Sequence, residues 1–326
     1  MQQLLLGVLT PIWEARFSPS SFGFRPGRSQ HDAVRAAQKH IQEGKTYVVD
    51  MDIEKFFDRV NHDILMSRIG QVIGDKRVKR LIGQMLRAGV MVEGVVMDRE
   101  EGTPQGGPIS PLLANIYLDA LDKEIEARGH AHVRYADDCN IYVGSQAAAE
   151  RVKESISHWI ESRLRLKVNE SKSGSGGVKG RKFLGFSLDS KGTIQIATQS
   201  IERFKDRVRE LWDARQSKTN KQMRDQWNQW LRGWVGYYRI GERKPVAYLE
   251  SWIRRRIRCY YWQRWHNAKG RYAKLRKLGV RPEQAKAGRS SRGAWRMAKH
   301  PAMHTALSNA AIRKARILMP TQLRAW

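Results

Sequence analysis

A chain of 326 residues with 41% hydrophobic and 28% charged content is long enough for two or more domains and apolar enough to bury a core, which excludes an intrinsically disordered polymer. No apolar run reaches the roughly 18 residues of a membrane span, and the opening "MQQLLLGVLTPIWEARF" has neither a basic leader nor a small-residue cleavage site, so a cytoplasmic, bacterial-type chain without a membrane partner is expected. The net charge of +28 is lopsided: residues 201–326 hold 32 Lys and Arg against 8 Asp and Glu, a net +24, together with nine of the 11 Trp, and a field of that kind attracts polyanions, nucleic acid foremost.

Residues 1–14 and 29–43 read as helices around the loop "FSPSSFGFRPGRS". "TYVVDMDI" (46–53) alternates like a strand and puts Asp50 and Asp52 on one face. Helices are expected over about 59–72 and 75–88, with Asp58 anchoring a helix start. Residues 90–99 read as a hairpin turning at Gly94. The loop "EGTPQGGPIS" leads into a helix over about 110–128, and a second hairpin covers 131–143. A helix over 146–165 follows, then a strand "LRLKVN", a loop "SKSGSGGVKG" and a hairpin over 182–197 turning near Lys191 and Gly192. Beyond residue 199 the pattern is helical, over about 199–216, 220–238, 245–267 and 269–278. "KAGRSSRG" reads as a loop before a basic tail. The fold class is α+β: an antiparallel sheet with helices, followed by an all-helical part. Cys139 and Cys259 are expected to stay reduced.

The sharpest feature is "HVRYADDCNIYV" (132–143), where Asp137 and Asp138 interrupt two strand-like runs. Side chains of neighbouring residues on a flat strand point to opposite faces, but at a tight turn both can reach one side. Two close carboxylates repel, and one takes up a proton unless a cation compensates them. Mg²⁺ prefers oxygen ligands and uses a few carboxylates with substrate phosphates. Two such ions roughly 3.5–4 Å apart can activate a 3′-hydroxyl and stabilise departing pyrophosphate. A further carboxylate must come from another strand, and Asp50 and Asp52 are on offer.

"YADD" within "RYADDCNIYV" resembles the catalytic motif of reverse transcriptases. "DIEKFFDRVNHDIL" resembles their first catalytic aspartate motif, and "GTPQGGPISPLLANIYLDALD" the loop and helix between the two. "FSPSSFGFRPGRSQHDAV", "FLGFSL" and "LRGWVGYYR" extend the resemblance over nearly the whole chain, to group II intron reverse transcriptases, also called maturases. The resemblance implies a right-hand polymerase with partial fingers at 1–46, a palm at 47–198, a helical thumb or maturase domain at 199–285 and a basic tail at 286–326. It implies an RNA-directed DNA polymerase with two Mg²⁺ ions, dNTPs, a DNA or RNA primer, and an RNA template such as group II intron RNA.

Carried over by residue, the resemblance makes Asp52 and Asp137 ligands of both metals, Asp138 the third catalytic carboxylate, and Ile53 a carbonyl ligand. Asp50 matches no ligand and is expected to be structural. Phe57, five places after Asp52, matches an aromatic that lies under the sugar and selects deoxynucleotides, although one of Phe56 and Phe57 must face the core. Gln105 and Gly106 match nucleotide and template contacts, and glycine there lets backbone approach a base pair. Lys172 matches a lysine near the nucleotide phosphates. Arg25 and Arg28 suit template phosphates, or ion pairs with Asp32 or Glu43. In the helical half Arg254, Arg255, Arg256 and Arg258 are too dense for one buried face and are expected to meet nucleic acid. Trp227, Trp230 and Trp234 form a stripe expected to be packing.

The chain departs from the family in two respects. No zinc-like cluster surrounds His300 and His304, so no homing-endonuclease domain is expected. The family carries fingers strands before "LLLGVLTPIWE", whereas Met1 opens directly on that helix, so weak nucleotide grip is expected. Two functions stay open: the polymerase, and an RNA-binding maturase whose palm does little chemistry.

Overall fold

The computed structural model describes residues 1–87, 90–92, 95–97, 101–103 and 107–323. The chain divides into two compact units, Met1–Thr193 and Ile194–Trp326. The first opens on α1 (Gln2–Glu14) and α2 (Gln30–Gln42). Helix α2 starts at Ser29 because Ser29 and Asp32 cap each other reciprocally. The Ser29 hydroxyl accepts from the Asp32 amide, and the Asp32 carboxylate accepts from the Ser29 amide at 2.9 Å. Its buried stripe is Ala33, Val34, Ala37 and Ile41.

Strand β1 (Tyr47–Met51) is followed by a 3-10 turn at Phe56–Asp58, then α3 (His62–Val72) and α4 (Lys76–Arg87). Asn61, not Asp58, caps α3, accepting from the Ile64 amide at 3.0 Å. Strands β2 (Val90–Val92) and β3 (Val95–Met97) pair antiparallel, as the expected hairpin requires; its turn residue Gly94 lies outside the described residues. Next come α5 (Ser110–Ala127), β4 (Ala131–Tyr135), β5 (Asp138–Val143), α6 (Gln146–Leu164), β6 (Gly174–Gly177), β7 (Lys182–Phe183) and β8 (Phe186–Leu188).

Four strands form one antiparallel sheet in the order β4-β5-β1-β6. Alternation sends Val49 and Met51 of β1, and Cys139, Ile141 and Val143 of β5, into one core with Leu113, Ile116 and Tyr117 of α5 and Ile156 and Ile160 of α6. Each such fully buried side chain is worth about 1.5–3 kcal/mol. Burial pushes the thiol of Cys139, and that of Cys259 in the other unit, above its usual range; both cysteines are free.

Two expectations are corrected at the sheet's edge. "LRLKVN" is not a strand. Arg165 turns left-handed (φ 51°) to end α6, Leu166 and Val168 drop into the core, and the backbone makes a single bridge from Val168 to Ile53. The strand is instead β6, in the glycine-rich stretch that reads as a loop; it pairs Asp50 with Gly174 and Tyr47 with Gly177. Arg181 lies across the strand at Gly174 and Gly176. Its guanidinium donates to the Ser175 carbonyl at 2.6 Å and would stand 2.9 Å from a Cβ at Gly176. At the expected hairpin over 182–197, β7 pairs with β8, and the turn near Lys191 and Gly192 is present, held by the Asp189 side chain accepting from the amides of Lys191 and Thr193.

The second unit has strand β9 (Ile194–Ile196) and then helices only: α7 (Thr198–Leu211), α8 (Asn220–Tyr238), α9 (Lys244–Arg264) and α10 (Ala268–Lys277). Trp227 of the aromatic stripe is fully buried, with Trp212 at 5.8 Å, and donates to the Leu318 carbonyl; Trp230 and Trp234 pack on Phe204. The C-terminal stretch is folded rather than a loose tail. It forms α11 (Pro282–Ala285), α12 (Ala294–Met297), α13 (Pro301–Ala306) and α14 (Asn309–Lys314). Met297, Ala302, Met303 and Ala306 close a small core over Trp262 and Leu275. The fold is thus an α+β unit on an antiparallel sheet, followed by a helical one. No helix among the described residues is long and apolar enough to cross a membrane.

Candidate active site

The β1–β5 register places the acidic motifs together. Met51 faces Cys139, so Asp52, one residue past the strand, meets Asp138 at the start of β5. Tyr135 and Asp138 are partners, which makes Ala136 and Asp137 a two-residue turn, with Ala136 left-handed at φ 58°. The surrounding protein shields the Asp138 carboxyl and, with the Asp137 and Asp52 charges, raises it above the ordinary carboxylate range, although the residue as a whole is exposed. Lys182 and Lys172 oppose that rise. Lys172 is the nearer to Asp52, with Nζ 3.8 Å from Oδ2. Asp50, two residues before Asp52 on the same face of β1, lies deeper in the sheet beside Asn140 and Arg181. Burial, then the charge of Asp138, lifts its carboxyl to about 6 against the pull of Arg181.

The backbone around Asp52 is held from a distance. Its amide donates to Ser173 Oγ at 2.9 Å and its carbonyl accepts from the Asn169 amide at 2.8 Å. The Glu54 amide donates to the Lys167 carbonyl at 2.9 Å, and the Ile53 carbonyl takes no part in this ladder. Phe56 is the core member of its pair. Phe57 is half-buried, packed edge-on to Phe56 at 5.3 Å. The Phe57 carbonyl accepts from the Thr103 amide at 2.7 Å, which ties the glycine-rich loop to this turn. Gln105 and Gly106 of that loop lie outside the described residues.

A second constellation clamps the Asp137–Asp138 turn from behind, and sequence reasoning missed it. Arg134 is fully buried. It donates to Asp122 Oδ1 at 2.7 Å and Oδ2 at 2.6 Å, to Asn115 Oδ1 at 3.0 Å, to Ser21 Oγ at 2.8 Å and to the Ala136 carbonyl at 2.8 Å. Asn115 in turn donates to the Gly23 carbonyl at 2.8 Å. Gly23 presses on the turn so closely that a Cβ there would stand 2.2 Å from the Ala136 nitrogen. Burial disfavours the Asp122 anion, yet the charge and hydrogen bonds of Arg134 and the His132 contact overcome this and pull its carboxyl down to about 2. The only cue in the sequence is an arginine inside a strand-like run.

The basic residues expected at nucleic acid are more committed than foreseen. Arg25 is corrected to a structural role. Its guanidinium is buried, paired with Glu14 at 2.9 Å and bonded to the carbonyls of Ser18 and Ser21, so nothing is left for a phosphate. Arg28 donates to the carbonyls of Pro19 and Ser21 and lies over Phe22. In the second unit Arg254 pairs with Glu250, Arg255 stacks 3.7 Å over Trp295 and Arg256 donates to the Arg209 carbonyl. Arg258 is buried and donates to the Leu307 carbonyl.

Asp52 and the Asp137–Asp138 turn bring carboxylate oxygens near one another, the donor type a hard divalent cation takes, and the repulsion felt at Asp138 is what such an ion would relieve. No three acidic, His or Cys side chains among the described residues converge closely enough to hold an ion as they stand. An antiparallel sheet carrying such carboxylates at its centre is the arrangement of a nucleotide polymerase palm. Residues 1–188 match the family model described as reverse transcriptase (RNA-dependent DNA polymerase), and residues 201–279 match the group II intron maturase-specific domain. The chain therefore belongs to the group II intron reverse transcriptase and maturase family. It is 32% identical to protein YkfC of Escherichia coli (strain K12), over 59% of this chain and 60% of that one. It is 28% identical to group II intron-encoded protein LtrA of Lactococcus lactis subsp. cremoris, over 60% of this chain and 44% of LtrA. The matches thus span less than two thirds of either relative. A solved apo telomerase from Candida tropicalis aligns over 97% of this chain and 55% of its own, at 13% identity and a TM-score of 0.48.

Proposed function

We propose that the chain is an RNA-directed DNA polymerase that extends a primer 3′-hydroxyl with dNTPs on an RNA template, group II intron RNA being the expected partner. The observation that carries this reading is the β1–β5 register, which brings Asp52 to the Asp137–Asp138 turn. In this reading residues 47–198 are the palm, 1–46 a partial fingers segment, 199–285 the thumb and 286–326 a folded C-terminal extension.

Asp52, Asp137, Asp138 and the Ile53 carbonyl would hold two Mg²⁺ ions, which when bound supply activation of the primer hydroxyl and charge neutralisation at the departing pyrophosphate. The chain's own residues do the rest. Lys172, two-thirds exposed and beside Asp52, meets the nucleotide phosphates. The half-buried Phe57 ring, braced on Phe56, is the wall against which a 2′-hydroxyl clashes. Ser173 holds the Asp52 backbone, and the Arg134 network holds the turn, so the carboxylates are fixed before substrate arrives.

Primer extension on poly(rA) with an oligo(dT) primer tests the assignment. Asp137→Asn and Asp138→Asn should each abolish nucleotide addition while leaving RNA affinity within about twofold, since that difference is worth only about 0.4 kcal/mol. Wild-type rates in either variant would remove the metal-ligand roles. A second reading has its own support: the maturase-domain match and the net +24 of residues 201–326 favour intron RNA binding as a function in its own right. Retained RNA binding with no extension by the wild type would select it.

A further inference from the structure

The second unit contains a cavity of about 480 Å³ between α9 and the C-terminal helices. Arg254, Arg255, Arg258, Lys299 and His304 line it together with Trp252, and no carboxylate does. Glu250 neutralises Arg254 through a 2.5 Å bond. Among the described residues, no acidic group pairs with Arg255, Arg258 or Lys299.

Arg258 is the telling member. It is only 5% exposed, its one hydrogen bond among the described residues runs from Nε to the Leu307 carbonyl at 3.0 Å, and Arg254 adds like charge beside it. A buried guanidinium without an anion is costly and is not kept for stability, because an apolar side chain of similar size would pack there more favourably. Arg255 contributes a guanidinium fixed in orientation by the Trp295 ring and carbonyl. Lys299 is exposed at the mouth. One buried fork, one oriented fork and one exposed ammonium make a graded set of donors with no carboxylate partner among the described residues.

We propose that this cavity is a phosphate-binding site that takes a backbone phosphate of bound RNA. The proposal rests on the RNA-binding reading above and adds to it a defined seat, built in part by Lys299 and His304, outside the stretch that matches the maturase-specific model. A phosphate completes the charge of Arg258 and offers the oxygens that planar guanidinium donors bind in pairs.

The test uses the whole chain, with Arg258→Met and Lys299→Gln as separate variants, the second being a surface change that leaves the core intact. Affinity for a single-stranded RNA oligonucleotide is measured over a salt series. Each lost phosphate contact should reduce the magnitude of the log–log slope by about 0.7. That reduction in the variants supports the proposal, and slopes equal to wild type in both overturn it. In a parallel arm, inorganic phosphate is compared with chloride at equal ionic strength for its effect on Tm. Protection of the wild type that both variants lose, alongside unchanged RNA slopes, would make the cavity a free-anion site and overturn the RNA assignment. If the wild type binds no RNA at any salt concentration, the RNA-binding reading itself falls, a result distinct from variants that bind just as the wild type does.

Discussion

Replacing Arg134 with methionine removes the buried guanidinium behind the Asp137–Asp138 turn and leaves the Asp122 carboxylate, itself 0% exposed, with His132 as its one remaining side-chain partner among the described residues. Five hydrogen bonds go at once, two of them charge-assisted bonds to Asp122 at 2.6 and 2.7 Å. Truncating one partner of a buried pair costs about 3–5 kcal/mol. Most tryptophans lie in the other unit, so bulk fluorescence would report the wrong region; hydrogen exchange of peptides covering 110–143 reads the right one. Protection there should fall by about 10²- to nearly 10⁴-fold, at 1.36 kcal/mol per factor of ten. The double change Arg134→Met with Asp122→Leu should recover most of the loss, because an apolar pair leaves no stranded charge. The pH dependence carries a sign. The folded carboxyl of Asp122 lies near 2, below its ordinary 3.8, so its stabilising contribution is complete above about pH 4 and is lost as pH falls towards 2. In Arg134→Met that acid-side loss should be absent. Protection unchanged in the single variant would show that the cluster is not what fixes the turn.

Two further outcomes follow from the same geometry. Phe57→Ala opens the wall beside the nucleotide sugar, so the ratio of ribo- to deoxynucleotide incorporation should rise by about tenfold or more, a difference of ~1.4 kcal/mol in transition-state energy; an unchanged ratio would mean that the ring serves only the core. Gly23→Ala puts a methyl 2.2 Å from the Ala136 nitrogen, which is backbone and cannot swing aside. Overpacking of about 1–3 kcal/mol should lower Tm by several degrees and depress primer extension disproportionately, and wild-type extension by a stably folded Gly23→Ala would refute the clamp.

The sequence shows the acidic triad because its signal is local: a strand alternation around Asp52 and two carboxylates at a turn. The Trp227 stripe is legible for the same reason, through helical spacing. What escapes is long-range. Arg134 meets Ser21 across 113 residues and Asn115 meets Gly23 across 92, and nothing local marks these side chains as partners. Strand β6 is hidden by its composition, since glycine and serine read as loop and only the ladder to β1 makes them a strand. The arginines are legible only in part: Arg254, Arg255 and Arg256 stay partly exposed. What density cannot show is the carbonyl groups, ring and carboxylate that orient them, or that Arg25 and Arg258 are buried.

The tie between Asp52 and Ser173 spans 121 residues, and it bears on how the site comes into being during synthesis. Closing a loop of that length costs about 4 kcal/mol of chain entropy before any contact repays it. A nascent chain that has just released β1 already carries Asp52, yet it has neither the Asp137 turn nor the serine that fixes the Asp52 backbone. The site therefore assembles only after β6 leaves the ribosome, when β5 and β6 can settle on either side of β1. Until then Asp52 is one more carboxylate on an unpaired strand, and a ribosome stalled before residue 173 presents an acidic strand with no chemistry to perform.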